Sequence, residues 1–509
     1  MNCIDSARAV LWLLCALAPA IVHAGLPHGS RAPAIRNGTF WKDTAGTPIY
    51  SQGGGILKIG PRYYWYGVKY AEAVSYAAAP GKFARQTHFS AVTAYSSTDL
   101  VHWAFEGDVL TPEGLGTFAD PTAWIGRMGV VYHQATRKYV LLTQYGGAGG
   151  AGLLFATSAT PTGPFRVDRL QQGIDNVASP TSGDQTVFTD DDGQPYLIFS
   201  NNGDRRQLYV APLRASDFLH VGAATKIHHA PGGGREGNAM FKHKGLYYFL
   251  SSDLHGWNAS RSYYMTAPRI TGPYSPEKRL AGTEADFSHV SQNGFFIPVQ
   301  GTAGTTVIYA GDRWSNFAGN GLGYNVWVPL SFNGAEPAFN SLSEWTLDAA
   351  AGTWRTGSGN NYVRNPGFEA DRVGQAHVAG WVASWTSIGG DAPIVNTLDG
   401  RTGRWALTLK HPGKSMGSAV QDIPLPNGVY TLKAWVRSSG GQGVARLYAS
   451  GHGGAERMLP LDRVISAWTE VTLPGIKVDT GNVQIGVYTE GKEGDWVSLD
   501  DVSLVREER

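Results

Sequence analysis

Glu236 stands at the mouth of a glycine loop, Gly232-Gly-Gly-Arg-Glu236-Gly-Asn-Ala-Met, just before two short apolar runs joined by a turn. A carboxylate at the start of a strand can reach an inward-facing site while the sheet holds its backbone. The loop lacks the lysine and the following helix of a phosphate cradle. His228, His229 and His243 do not make a zinc-binding spacing. The formal charge of +1 gives no electrostatic ground for nucleic acid or an anionic membrane as partner. The 16 tryptophans and 23 tyrosines offer apolar faces suited to sugar rings. A neutral polar ligand is the expectation.

Short strands must position this carboxylate. At 509 residues the chain exceeds one ordinary domain, and its 66 glycines with no long helical periodicity suit strands joined by tight turns. Between about residues 35 and 357, five inner runs recur: Tyr63 to Gly67, Lys138 to Leu142, Gln194 to Ser200, Gly245 to Ser251 and Thr305 to Gly311. Turn signals such as Gly60-Pro61 and Asp190-Asp-Asp-Gly193 precede several of them, and further strand-like pieces follow. About four strands repeated five times predict a five-bladed β-propeller over residues 25–357. Gly357-Ser-Gly-Asn-Asn361 reads as a linker. Beyond it, alternating segments such as Val429 to Arg437 predict a jelly-roll β-sandwich over residues 358–509. The chain is expected to be all-β.

Arg8, the apolar run Ala9 to Ile21 and Val22-His23-Ala24 predict a signal peptide over residues 1–24, and with it a secreted or periplasmic protein. The run is too short for a membrane span. Cys3 and Cys15 both lie inside it, so the mature protein is expected to carry no thiol or disulfide.

From about Gly46 to Phe332 the sequence resembles glycoside hydrolase family 43, especially its exo-β-1,3-galactanase-like branch. The carriers are Gly53-Gly-Gly-Ile-Leu-Lys-Ile-Gly-Pro-Arg-Tyr-Tyr-Trp-Tyr-Gly67, Tyr95 to Trp103, Ser182-Gly-Asp184, the Glu236 stretch, Ser291-Gln292, Gly311-Asp-Arg-Trp314 and Tyr324 to Leu330. The resemblance implies a five-bladed propeller that cleaves glycosidic bonds with inversion. It makes Glu236 the general acid, Asp184 the aspartate that raises the acid's proton affinity, and Gln292 the residue that places water. The aspartate base of most members falls at Gly53, beside Gln52, and the galactanase-like branch lacks it too. Two glutamates that bind sugar hydroxyls in that branch are replaced here, one by Val68 and one within Gly126-Arg127-Met128-Gly129. β-1,3-Galactan is therefore a default substrate. Arabinofuranosides, xylosides or a glycan-binding role without turnover remain as alternatives.

Gln52, Trp65, Trp257 and Trp314 are the substrate-binding candidates, and Asp312 with Arg313 reads as an ion pair. The C-terminal region resembles a jelly-roll carbohydrate-binding module through Asn365-Pro-Gly-Phe-Glu369 and Leu499 to Leu504. That likeness implies a structural calcium, with Glu369 and Asp501 as candidate ligands. No cofactor is expected for catalysis, and the sequence leaves the oligomeric state open.

Overall fold

The computed structural model describes residues 33–79, 87–147, 149–179, 181–314, 324–370, 379–387 and 394–508. The expected signal peptide lies outside the described residues. Among those residues, no helix is long and apolar enough to cross a membrane.

Among the described residues, the first part of the chain forms five four-stranded antiparallel sheets, each built from four strands consecutive in sequence. Their first strands are Gln52–Ile59, Trp124–His133, Ser182–Thr189, Arg235–His243 and Gln292–Gln300. Each first strand touches the first strand of the next sheet, and the fifth touches the first. The five recurrent runs of the sequence are therefore not innermost. They are the second strands, Arg62–Tyr70, Lys138–Gly147, Pro195–Asn201, Leu246–Asp253 and Thr305–Arg313. Second strands are packed on both faces between their neighbours, which gives them the more apolar sequences.

Every first strand breaks register with its partner near its start: after Gln52, Ile125, Ser182, Glu236 and Asn293. A bulge leaves one or two residues unpaired and re-aims their side chains. Glycine occupies each break, at Gly53 and Gly54, Gly126, Gly183, Gly237 and Gly294. Gly237 shows why: its φ is +58°, and a Cβ there would lie 2.2 Å from the Asn293 carbonyl oxygen. The bulges set Arg127 and Asp184 at equivalent places, each just after the glycine of its sheet, while Glu236 is the last paired residue before Gly237.

The N-terminal strand Ile35–Arg36 pairs with Glu344–Asp348, which pairs with Thr353–Thr356. A tryptophan cluster lies beneath this small sheet, with Trp65 at 5.3 Å from Trp103 and 4.9 Å from Trp327, centroid to centroid.

Two five-stranded antiparallel sheets follow, with strand orders that are not sequential. Their inward residues, among them Tyr430, Leu432, Val436, Leu447, Ile485, Val487, Val497 and Leu504, make one core and so a β-sandwich. The segment read as a linker is tied to both sides. Gly359 N donates to Glu344 Oε1 at 2.8 Å, and Asn361 Nδ2 donates to the Val502 carbonyl at 2.9 Å.

Just before Gln292, Phe287, Ser288, His289 and Val290 all have φ between 47° and 59°. A left-handed turn costs about 1–2 kcal/mol per non-glycine residue, so something must hold it. Asp286 Oδ1 accepts from His289 N at 2.9 Å, and Arg313 Nε donates to the Val290 carbonyl at 2.8 Å. Ala370 of the C-terminal region packs on Phe287 and Val290, and Arg364 reaches the Ser341 carbonyl.

Candidate active site

A cavity of about 590 Å³ opens where the first strands meet, with Asp184, Arg205, Glu236 and Gln292 in its lining. Glu236 is buried and its two oxygens have separate partners. Oε1 accepts from Gln292 Nε2 at 2.6 Å and His255 N at 3.3 Å; Oε2 accepts from Arg205 Nη1 at 2.9 Å. The same Arg205 nitrogen lies 3.1 Å from Asp184 Oδ1. Asp184 Oδ2 accepts from Arg127 Nε at 2.8 Å and Gly237 N at 3.1 Å. The bulge of the fourth sheet is thus pinned directly to the carboxylate of the third.

The two acids are driven apart in proton affinity. Burial, then the charge of Asp184, pushes Glu236 up to about 8, against the pull of Arg205 and Arg127. Burial also works to raise Asp184, but Arg127 and Arg205 outweigh it and hold it below the ordinary carboxylate range. One carboxyl stays protonated near neutrality and the other ionised. Such a pair can donate a proton from one member while the other keeps its charge.

Arg127 organises the floor. Its Nη2 donates to Gln292 Oε1 at 2.5 Å and its Nη1 to Asp312 Oδ2 at 3.3 Å. Trp314 Nε1 also donates to Gln292 Oε1, at 2.9 Å. Both ends of the Gln292 amide are therefore committed to protein, and its Nε2 meets the expected acid itself. Placing water, the role implied for Gln292 by resemblance, would require one of these bonds to open.

The expected Asp312–Arg313 pair does not form. Successive strand residues point to opposite faces. Asp312 turns to Arg127 and to Gly53 N at 3.0 Å, while Arg313 turns to the left-handed turn. A carboxylate does stand beside Gly53, but it comes from the fifth sheet and is buried. A Cβ at Gly53 would meet Trp314 at 3.3 Å and Arg127 at 3.6 Å, so these side chains fill the space of a side chain there.

Of the four substrate-binding candidates, Trp257 lines the cavity. Trp65 does not: it is 0% exposed inside the tryptophan cluster and is a core residue. A strand position facing the neighbouring sheet buried it. Trp314 is 1% exposed and lies under Trp257, at 4.9 Å between centroids, as a support for Gln292. Gln52 is buried away from the cavity lining, its Nε2 3.4 Å from the Arg313 carbonyl.

The sequence reading passed over Arg205, Arg127 and Trp124. Trp124 stacks on Tyr70, edges onto Trp257 and lines the cavity. A Cβ at Gly126 would lie 2.5 Å from Trp124 Nε1, so the indole occupies the space beside the glycine. The glycine of each bulge was the available signal for Arg127; nothing local distinguishes Arg205 from an ordinary turn residue.

In the sandwich, Glu369 Oε1 accepts from Arg404 N at 2.5 Å and Trp405 N at 2.7 Å, while its buried Oε2 has no hydrogen-bond partner among the described residues. Asp501, the other expected calcium ligand, is spent on Arg401 Nη1 at 2.7 Å and Thr402 Oγ1 at 2.6 Å. Its neighbour Asp500 is the buried one. Burial pushes both Glu369 and Asp500 up to about 8, Asp500 further so through the Asp501 charge and Glu369 slightly through Asp500. Two buried carboxylates, Glu369 and Asp500, one with an oxygen unpartnered among the described residues, have the chemistry an oxygen-seeking cation takes. Among the described residues, no group of three or more His, Cys, Asp or Glu gathers to hold a metal, so backbone oxygens would have to complete such a site.

Against this geometry the known proteins can be compared. The profile of glycosyl hydrolases family 43 matches residues 57–315, half of the chain. The chain belongs to that family. The β-D-galactofuranosidase of Aspergillus niger is 30% identical over 227 residues, 42% of this chain and 64% of the relative. A non-reducing end α-L-arabinofuranosidase of Bacteroides ovatus is 28% identical over 194 residues, 37% of this chain and 34% of the relative. The chain thus spans less than two thirds of the curated relatives it matches. Among solved structures, an exo-β-1,3-galactanase of Phanerochaete chrysosporium bound to β-1,3-galactotriose is 25% identical with a TM-score of 0.58. That likeness covers 93% of this chain and 100% of the other.

Proposed function

We propose that this protein is an exo-acting, inverting galactosidase that removes sugar units from the ends of a β-1,3-galactan or a related plant-type polysaccharide. The observation that carries the reading is one buried glutamate, Glu236, held proton-bearing beside an ionised aspartate, Asp184, in the lining of the cavity. Glycosidic cleavage needs a proton on the leaving oxygen, and Glu236 Oε2 is the atom to deliver it. Asp184 raises its proton affinity. Gln292 fixes Oε1, so that the proton resides on Oε2. Trp124 and Trp257 give the sugar an apolar wall.

The same reading takes the five sheets as a closed five-bladed propeller spanning residues 25–357 and the sandwich, residues 358–509, as a jelly-roll glycan-binding module. That module would hold calcium through Glu369 and Asp500, which would cancel two buried like charges. Residues 1–24 direct export, giving a secreted or periplasmic enzyme.

A second reading, a furanosidase, is favoured by the loss of both galactanase-like glutamates, at Val68 and within Gly126 to Gly129, and by Trp124, whose indole fills the space beside Gly126 and lines the cavity. Both curated relatives carry furanosidase names. Reducing-sugar release from β-1,3-galactan, galactofuranosides and arabinans decides between the two. Glu236→Gln should lose about 10²–10⁴-fold in rate while keeping its fold. Full activity in that variant would remove the acid assignment, and glycan binding without release by the native protein would remove the hydrolase reading. NMR of the first-formed anomer tests inversion.

A further inference from the structure

We propose that Arg205 is a displaceable positioning residue: it bridges Asp184 to Glu236 Oε2 in the free site, and the leaving-group oxygen of the sugar takes its place on that oxygen. The proposal rests on Glu236 being the acid. It follows from how the two oxygens of Glu236 are shared. Oε1 is closed to substrate, because Gln292 Nε2 at 2.6 Å and His255 N at 3.3 Å occupy it. Among the described residues Oε2 has one partner, the Arg205 Nη1 at 2.9 Å. A general acid must come within about 2.6–3.2 Å of the atom it protonates. The only oxygen that can do so is the one Arg205 now holds.

Arg205 is built to yield. Its backbone is fixed, since its carbonyl accepts from Arg235 N at 2.8 Å, next to Glu236 in sequence. Its side chain is 27% exposed and borders the cavity, in contrast to Arg127, which is 3% exposed and locked to Asp184, Asp312 and Gln292. Arg205 also keeps a partner when it leaves Glu236, because the same nitrogen is 3.1 Å from Asp184 Oδ1. Displacement therefore costs one charged contact, not two. The consequence is directional. With Arg205 in contact, Glu236 releases its proton more easily; once the sugar has displaced it, the acid holds its proton more tightly until transfer.

The charged groups facing Glu236 are few. Asp184 and Arg205 come from the third sheet and Arg127 from the second. Asp312 of the fifth sheet stands behind Arg127, and His255 on the fourth presents its backbone N–H while its ring lies 3.3 Å from Asp253. Only Arg205 among them is free to change its contact.

Two measurements on the full chain test this. In the first, the side-chain carboxyl of Glu236 is titrated by carbon-13 NMR in the ligand-free protein, assigned through Glu236→Gln. Arg205→Met should raise the midpoint by about one unit or more, and Arg205→Lys by less, since opposite charges within ~4–6 Å shift a carboxyl by about 1–3 units. An unchanged midpoint overturns the proposal whether or not the protein turns over any substrate tried. In the second, the alkaline limb of kcat/KM, which reports the free enzyme, is compared with that of kcat, which reports the complex. The native limbs should differ by about one unit, with kcat the higher, and the two should merge in Arg205→Met. Limbs that coincide in the native enzyme, or that both shift in parallel in the variant, mean that Arg205 never leaves and refute displacement. Should Glu236→Gln remain fully active while the midpoint still moves, the acid reading fails and the Arg205 contact stands.

Discussion

Asp184→Asn removes a charge without removing the side chain's shape, and its effect can be worked from two distances. One Arg205 nitrogen lies 3.1 Å from Asp184 Oδ1 and 2.9 Å from Glu236 Oε2, so those oxygens are at most about 6 Å apart. Two unit charges at ~6 Å repel by about 2.8 kcal/mol at an effective dielectric of 20, equivalent to roughly two units of pKa. Both side chains are largely out of water, at 16% and 4% exposure, so solvent screens little of this. The acid of the variant should therefore fall from about 8 toward roughly 6. An acid works while protonated, so the alkaline limb moves down by about two units. At pH ~7.5 the variant should lose about twenty-fold in rate through deprotonation alone, and at pH ~5 almost nothing by that route. Asp184 also anchors Gly237 N and Arg127, which adds a loss uniform in pH. The shape of the profile, taken from initial rates between pH ~4.5 and ~9, is thus the readout. A limb left at its native position would refute the electrostatic account of how Glu236 is kept protonated.

Three other perturbations separate site from scaffold. Trp65→Ala should destabilise the fold by roughly 3–5 kcal/mol in urea unfolding while leaving KM for glycan unchanged, because its ring meets only core; a KM effect without destabilisation would restore it as a sugar platform. Gly237→Ala puts a Cβ 2.2 Å from the Asn293 carbonyl in a left-handed backbone, so kcat should fall at least tenfold with the far-ultraviolet circular dichroism unchanged; native kcat would show that the bulge does not aim Glu236. Glu369 and Asp500 bind protons in the folded protein up to about pH 8 but release them near ~4 when unfolded, so without metal the Tm should drop as pH rises through that window. Calcium should restore more Tm at pH ~8 than at pH ~5, and equal effects at both would exclude the pair as ligands.

The catalytic-region sheets were legible because their second strands are continuous apolar runs, and the sandwich because its strands alternate. The position of Glu236 was legible from its glycine loop. What escaped was which strand lies innermost. First strands carry polar residues and a glycine-marked bulge, so they look less like strands than their neighbours do. Trp65 was misjudged because an aromatic in a strand reads alike whether it faces core or cavity. Arg205 was invisible because the contact that matters joins it to residues 21 and 31 positions away. Asp500 and Asp501 differ only in direction, which a one-residue bulge in the pairing of this strand decides.

The four residues wound against their natural handedness before Gln292 join the two halves of the chain in time as well as in space. Arg364 and Ala370, which brace that turn, are synthesised 74 and 80 residues after its last member, Val290. During translation the fifth sheet must wait with an unfinished rim until the sandwich arrives to brace it. Cutting the chain after residue 357 should therefore release more than a sugar-binding appendage. It should leave the amide of Gln292 without the stiff approach that aims it.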